Sequence, residues 1–206
     1  SRARPSQGRN SLVLVAGDDP AAPMLWAEVG ADGDQVLRRG SSADGPIPAT
    51  AAERTVLVLP GVDAQIKTVA LPAQSEAQAR KAAALMFEGA LVAAEGVHYA
   101  VGAPIDADGT RLVAAMDRAR LQAFLDRARS LGADPRQVTV DFLAWPSAPG
   151  DIDIVETASS VIVAGGARGG FAIEPAVAPA LFGRWLSQTG GQGAPIRLYG
   201  GDPGAW

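Results

Sequence analysis

The chain has 206 residues, a formal net charge of −4, 48% hydrophobic and 19% charged residues, and no cysteine. That suits one large globular domain or two to three small subdomains with real cores, and excludes a disordered chain. It also excludes disulfides and cysteine metal sites, and the charge balance gives the chain as a whole no nucleic-acid footprint.

No stretch approaches the ~18–20 consecutive apolar residues of a membrane span. The chain begins Ser-Arg-Ala-Arg-Pro without an initiator Met, as expected of a piece trimmed from a longer protein. Residues 1–10 are polar and basic, and disorder is expected there. Strands follow at Ser11–Gly17, Met24–Val29 and Gln35–Arg39, separated by Gly/Asp turns, which suggests a meander. After a Ser/Pro/Gly loop, Thr55–Leu59 is a continuous apolar run ended by Pro60-Gly61, the pattern of a strand buried on both faces.

Gln65–Leu71 reads as a strand ended by Pro72. Ser75 with Gln78 forms a capping box that starts a helix expected to reach Ala94. The second half of this helix is apolar on two faces. The spacing from Ala79 and Ala82 predicts that Leu85 and Met86 pack inward. That leaves Phe87, Ala90 and Leu91, with Glu88 beside them, as a candidate partner interface of Phe87, Glu88 and Leu91. Coverage of that face by a neighbouring subdomain is the competing expectation.

Val97–Ala103 and Arg111–Met116 read as a hairpin across Asp106-Ala-Asp-Gly109. A helix over Arg118–Leu131 carries the stripe Leu121, Phe124, Leu125, Ala128, Leu131, with Asp117 as a capping residue and Gly132 as a stop. Gln137–Leu143 alternates Val138, Val140, Phe142, which predicts a strand. Trp145–Gly150 reads as a linker. Beyond it, strands are expected at Ile152–Val155, Ser160–Ala164, Phe171–Ile173 and Ile196–Tyr199, and a short helix at Val177–Leu186. Strand meanders followed by a helix on each side of the linker hint at two related halves.

Candidate chemistry is sparse. A phosphate site at strand ends needs acidic-Gly turns with backbone N–H donors and carboxylates for Mg²⁺. Ala16-Gly17-Asp18-Asp19-Pro20 lacks the Asp-x-Gly-Ser/Thr order, and Asp151-Ile-Asp153-Ile has carboxylates without a glycine cradle. Gly165–Gly170 joins two short apolar runs with no helix after the first, so it reads as a hairpin turn rather than a nucleotide loop. His98 is the only histidine, so no catalytic triad or His-based metal cluster is supported. Asp106-Ala-Asp108-Gly109 lacks the remaining ligands of a Ca²⁺ loop, and Asp141 as a general base has no partner placed by the sequence. Arg111, Arg118, Arg120, Arg127, Arg129 and Arg136 are read as a solvated basic face, with contact to an acidic protein surface or an anionic lipid leaflet as the alternative. No catalytic residue, cofactor or metal is assigned.

The chain resembles the cytoplasmic part of the L component (GspL) of bacterial type II secretion systems. The resemblance rests on many matches in order over about residues 11–186. They are Trp26 and Gly40, Leu59-Pro60-Gly61, Val69-Ala-Leu71-Pro72, Phe87-Glu88 and Leu91, His98-Tyr99-Ala100, Val113–Arg118, Leu131-Gly132 and Asp141-Phe-Leu143. The helix end at Phe87-Glu88-Gly89 is less acidic than is usual in that family, and the region after residue 187 is short.

The resemblance implies an α/β, actin-like fold with ribonuclease-H-like subdomains. These are expected at 11–61 with 117–146, at 62–116 as an inserted α+β subdomain, and at 151–206 as a second, shortened actin-like subdomain. It implies a non-enzymatic adaptor at the cytoplasmic face of the inner membrane, tethered by one span outside these residues. The implied partners are the N-terminal region of the secretion ATPase, the M and F components of the platform, and a second copy of the chain, with no nucleic acid. The rival readings are a type IV pilus assembly scaffold that keeps nucleotide binding, and a small actin-like ATPase or sugar-kinase-like enzyme.

Overall fold

The computed structural model describes residues 10–33, 35–50, 52–71, 76–87, 96–104, 109–166 and 169–200. The chain divides into two compact units. One is formed by residues up to Pro60 with Arg120–Thr139, the other by Gly61–Ala119 with Val140 onward.

The first sheet has five strands in the order β3-β2-β1-β4-β8. Strands β1 (Ser11–Val15), β2 (Leu25–Val29) and β3 (Val36–Ser41) form the expected antiparallel meander. Strand β4 (Arg54–Leu59) returns parallel to β1, and β8 (Gln137–Val140) closes the order. Strand β4 is interior to the sheet, and its C-terminal half is buried on both faces, which is why it is a near-continuous apolar run. Leu57, Val58 and Leu59 are all buried. Trp26 lies directly across from Gly40 in the ladder. A Cβ at Gly40 would stand 2.8 Å from the indole Cζ2, so the indole needs a glycine as its neighbour.

The second sheet has three strands in the order β5-β7-β6, with β7 (Thr110–Asp117) central between β5 (Ala64–Ala70) and β6 (Val97–Pro104), antiparallel to both. Helix α1 (Glu76–Met86) supplies Ala79, Ala83 and Phe87 to one core with Leu71, Val97, Val113 and Ala115. This corrects the expected packing. Leu85 points outward, 63% exposed, while Phe87 is 1% exposed. The inward ladder runs at i, i+4, i+8 from Ala79 rather than stepping by three to Leu85. Phe87 N–H then bonds Ala84 C=O at 3.1 Å, a tightened last turn that keeps the ring on the core side. Ser75 of the expected capping box, the Asp106-Ala-Asp108 part of the hairpin turn, and Glu88, Ala90, Leu91 and Ala94 of the expected helix all lie outside the described residues.

Helix α2 (Arg118–Ser130) buries Phe124 and Ala128, and Arg120 lies over the Phe124 ring at 5.4 Å. It ends as expected at Gly132, whose φ of 89° is left-handed, with Ala133 N–H reaching back to Ala128 C=O at 3.0 Å. The strand expected over Gln137–Leu143 is shorter. It stops at Val140 with Val138 exposed, and Asp141–Ala144 forms a single helical turn, α3. The Asp141 carboxylate accepts the Phe142 N–H at 2.6 Å, a side-chain bond that offers the backbone an alternative to the ladder.

The third sheet has four strands in the order β11-β10-β9-β12. Strands β9 (Ile152–Glu156), β10 (Val161–Ala164) and β11 (Gly170–Ile173) are again an antiparallel meander, and β12 (Ile196–Tyr199) returns parallel to β9. The first four strands of the first sheet and the four strands of the third therefore share one order and one set of directions, as two related halves require. The connection into β12 carries helix α4 (Ala178–Thr189), which packs Phe182, Trp185 and Leu186 on the third sheet and ends at left-handed Gly190. The corresponding connection into β4 carries no helix among the described residues.

Candidate functional site

In a fold of this strand order, ligand chemistry is sought at the turns after the first strand of each half. After β1, the Asp19 carboxylate accepts the Ala21 N–H at 2.8 Å, and Ala22 N–H bonds Asp19 C=O at 3.0 Å. Asp18 C=O accepts from the Arg120 guanidinium. The Asp19 carboxylate is thus engaged in a local turn, and the Asp18 backbone ties that turn to α2.

In the second half, the acidic residue lies within β9 rather than at its end. Asp153 is fully buried and stands in register with Arg197 on the neighbouring parallel strand. Arg197 Nε donates to Oδ1 at 2.6 Å and Nη2 to Oδ2 at 2.9 Å, a two-point guanidinium–carboxylate bond. Arg197 also reaches Asp151 at 3.3 Å. Hydrogen bonding to Arg197 lowers the Asp153 pKa against the opposing push of burial, and hydrogen bonding to Ser147 and Trp145 adds to the lowering. A buried carboxylate without its cation would carry a large desolvation cost. The pair therefore serves to join β9 to β12, and the Trp145 ring meets Tyr199 edge-on at 5.3 Å beside it.

Gly165–Gly170 is the hairpin turn that its flanks predicted. Ala164 and Gly170 are paired, Gly165 N–H bonds Gly169 C=O at 2.8 Å, and Gly166 and Gly169 have φ of 57° and 76°. Only positive-φ glycines close such a turn without strain.

Three segments that the sequence keeps far apart meet around Phe142. The second oxygen of Asp141 accepts the Gly61 N–H at 3.0 Å. A Cβ on Gly61 would lie 2.6 Å from Phe142 Cδ1, and one on Gly170 would lie 3.0 Å from Phe142 Cδ2. Asp141 is therefore a structural acceptor with both oxygens engaged, not a general base. The Pro60-Gly61 and Asp141-Phe142 matches gain a common reason from this contact. Sequence reasoning missed it because the pair is 80 positions apart. The adjoining Pro-Gly and Asp-Phe steps were its only local signal.

Of the candidate interface, Phe87 is core. Its ring meets Tyr99 at 5.9 Å and carries Lys67 Nζ 4.6 Å above it. Glu88 and Leu91 lie outside the described residues, so they are not placed beside it. His98 is exposed on β6. Partial desolvation and the Arg118 and Arg80 guanidinium charges lower its pKa. The basic cluster separates onto local partners. Arg111 donates to Gly102 C=O at 3.0 Å, Arg118 to Val97 C=O at 3.3 Å, Arg129 pairs with Asp126 at 3.2 Å and Arg136 with Asp134 at 3.1 Å. Among the described residues no group of three His, Asp or Glu is placed to hold a metal, and no helix is long and apolar enough to cross a membrane.

The family model for type II secretion system protein L matches residues 12–195. The chain belongs to that family. A curated relative, type II secretion system protein L of Dickeya chrysanthemi, is 28% identical over 154 residues, covering 72% of this chain and 38% of its own length. The chain thus spans well under half of that relative.

Two solved structures share the fold. One is the cytoplasmic domain of EpsL, an inner-membrane component of the type II secretion system of Vibrio cholerae. It has a TM-score of 0.70 at 20% identity, covering 92% of this chain and 81% of that one. The other is the PilM–PilN type IV pilus biogenesis complex, with a TM-score of 0.59 at 14% identity, covering 95% of this chain and 82% of that one. The mixed-sheet α/β fold expected from the sequence is the fold that this chain shares with both structures.

Proposed function

We propose that the chain is the cytoplasmic part of a membrane-tethered adaptor of the type II secretion platform, and that it recruits the secretion ATPase by binding that enzyme's N-terminal region. The observation that carries this reading is the family match across residues 12–195. The fold shared with a domain described as cytoplasmic and belonging to an inner-membrane component supports the location. The M and F components and a second copy of the chain are the further partners on this reading.

The adaptor is non-enzymatic. Supporting this, Asp19 is engaged in its own turn and Asp153 is held by Arg197. The tripartite division, with an inserted subdomain over 62–116 between two actin-like parts, belongs to the same proposal. It is supported by the three separate sheets.

The test is co-purification of the full-length protein with the ATPase N-terminal region. Stoichiometric capture is expected. If the ATPase region passes through unretained at micromolar concentrations, the recruiting role is lost. A type IV pilus scaffold with retained nucleotide binding would instead show saturable Mg·ATP binding.

A further inference from the structure

Strand β3 ends the first sheet, and among the described residues no strand lies beyond it. The ladder shows which of its backbone groups face outward. Ser42 N–H bonds Met24 C=O at 2.9 Å, so that pair is a hydrogen-bonded one. Antiparallel ladders alternate, so Gly40–Trp26 and Arg38–Glu28 are also hydrogen-bonded pairs, while Arg39 and Ser41 turn their backbone groups away from β2. Ser41 C=O is taken by Asp44 N–H at 3.1 Å. Arg39 thus presents N–H and C=O along the open edge.

The side chains around this edge are unusually apolar for a solvent-facing rim. Val36 is 57% exposed, Leu37 42%, and Leu25 on the adjacent strand 58%. Beside them sit two consecutive cations. Arg38 is fixed by Glu28 through Nε at 2.9 Å and Nη2 at 2.6 Å, and also reaches Ala49 C=O at 3.3 Å. Arg39 is exposed. Charged residues normally blunt an exposed edge, but they repel only strands of the same sign.

We infer that the β3 edge takes up an extended segment of another protein that carries two adjacent carboxylates beside two apolar residues. The carboxylates face Arg38 and Arg39, the apolar pair faces Val36 and Leu37, and the backbone bonds to Arg39. This is strand addition, in which main-chain bonds give affinity and side chains give register. A second copy of the chain fits less well. A two-fold seam centred on Arg39 places Arg39 opposite itself and Gly40 opposite Arg38, so no carboxylate meets either cation, and the register shift at Leu37 interrupts a regular seam centred there. The inference is independent of which protein supplies the segment.

The test is titration of the isotopically labelled chain with an acetylated, amidated peptide Ser-Glu-Glu-Val-Val-Ser, followed by amide NMR and hydrogen exchange. Saturable shifts along β3 and slowed exchange at the Arg39 amide are expected. Arg39→Glu should weaken binding about fivefold at an unchanged melting temperature. A peptide with lysines in place of the glutamates should not bind. Three results would overturn the inference: no shift at β3, equal binding by the Arg39→Glu variant, or a β3-mediated dimer forming without peptide. Failure to capture the secretion ATPase would leave the peptide result standing, so the two readings fail separately.

Discussion

Phe87→Ala is the sharpest test of which face of α1 is core. The ring is almost fully buried, packs with Ala79, Ala83 and Val113, and meets the Tyr99 ring and Lys67 Nζ. Truncating a buried Phe typically costs ~3–5 kcal/mol, because the transfer term and the cavity left behind add. For a cooperative chain of this size each kcal/mol moves the melting temperature by roughly 2–4 °C, so a fall of about 6–20 °C is expected by circular dichroism. Leu85→Ser is the paired control. Its side chain is exposed, so the change should stay within ~0.5 kcal/mol of the parent. The reasoning is refuted if Phe87→Ala melts like the parent, or if Leu85→Ser is the variant that unfolds. Loss of partner binding by Phe87→Ala at an unchanged melting point would return that residue to the interface.

Gly61→Ala should destabilise by ~1–3 kcal/mol in a denaturant titration, because the new methyl meets the Phe142 ring and the Asp141 carboxylate; parental stability would mean that this contact is loose. Phe124→Ala should likewise cost ~3–5 kcal/mol, and a parental melt would misplace α2. The Asp153 pKa is lowered from its ordinary 3.8, so the unfolded chain takes up that proton first as pH falls. The pair's contribution is complete above that ordinary value and is lost as pH falls through the folded one. Asp153→Asn should therefore flatten the acid limb of the melting-temperature profile below about pH 4, and an unchanged limb would remove Asp153 from the acid response. Mg·ATP should give no saturable thermal shift; a ligand at a hundred times its Kd would add about 2.7 kcal/mol, so binding would be plain to see.

The sequence by itself determined the elements whose signal is local. Thr55–Leu59 reads as a buried strand because a strand covered on both faces has no polar side to alternate with, and the apolar run says so without any partner being known. Gly132 and Gly165–Gly170 announce a helix stop and a hairpin because left-handed backbone asks for glycine wherever it occurs. The ordered matches carried the family as well.

Only the tertiary structure decided the rest. Val138, Val140 and Phe142 alternate like a strand, yet Asp141 bonds the Phe142 amide and the distant Gly61 amide, and the strand stops at Val140, three residues before its expected end. Ala82 and Ala83 are equivalent to a periodicity count. The sheet against which α1 packs chose the ladder that ends in a large ring filling its hollow, and so buried Phe87 rather than Leu85. Asp153 looked like an unclaimed carboxylate until β12, 44 positions away, laid Arg197 beside it. Local pattern fixes what most segments are, but not where each one ends. Which of its faces is dry, and which charge meets which, depends on the partner that folding brings to it.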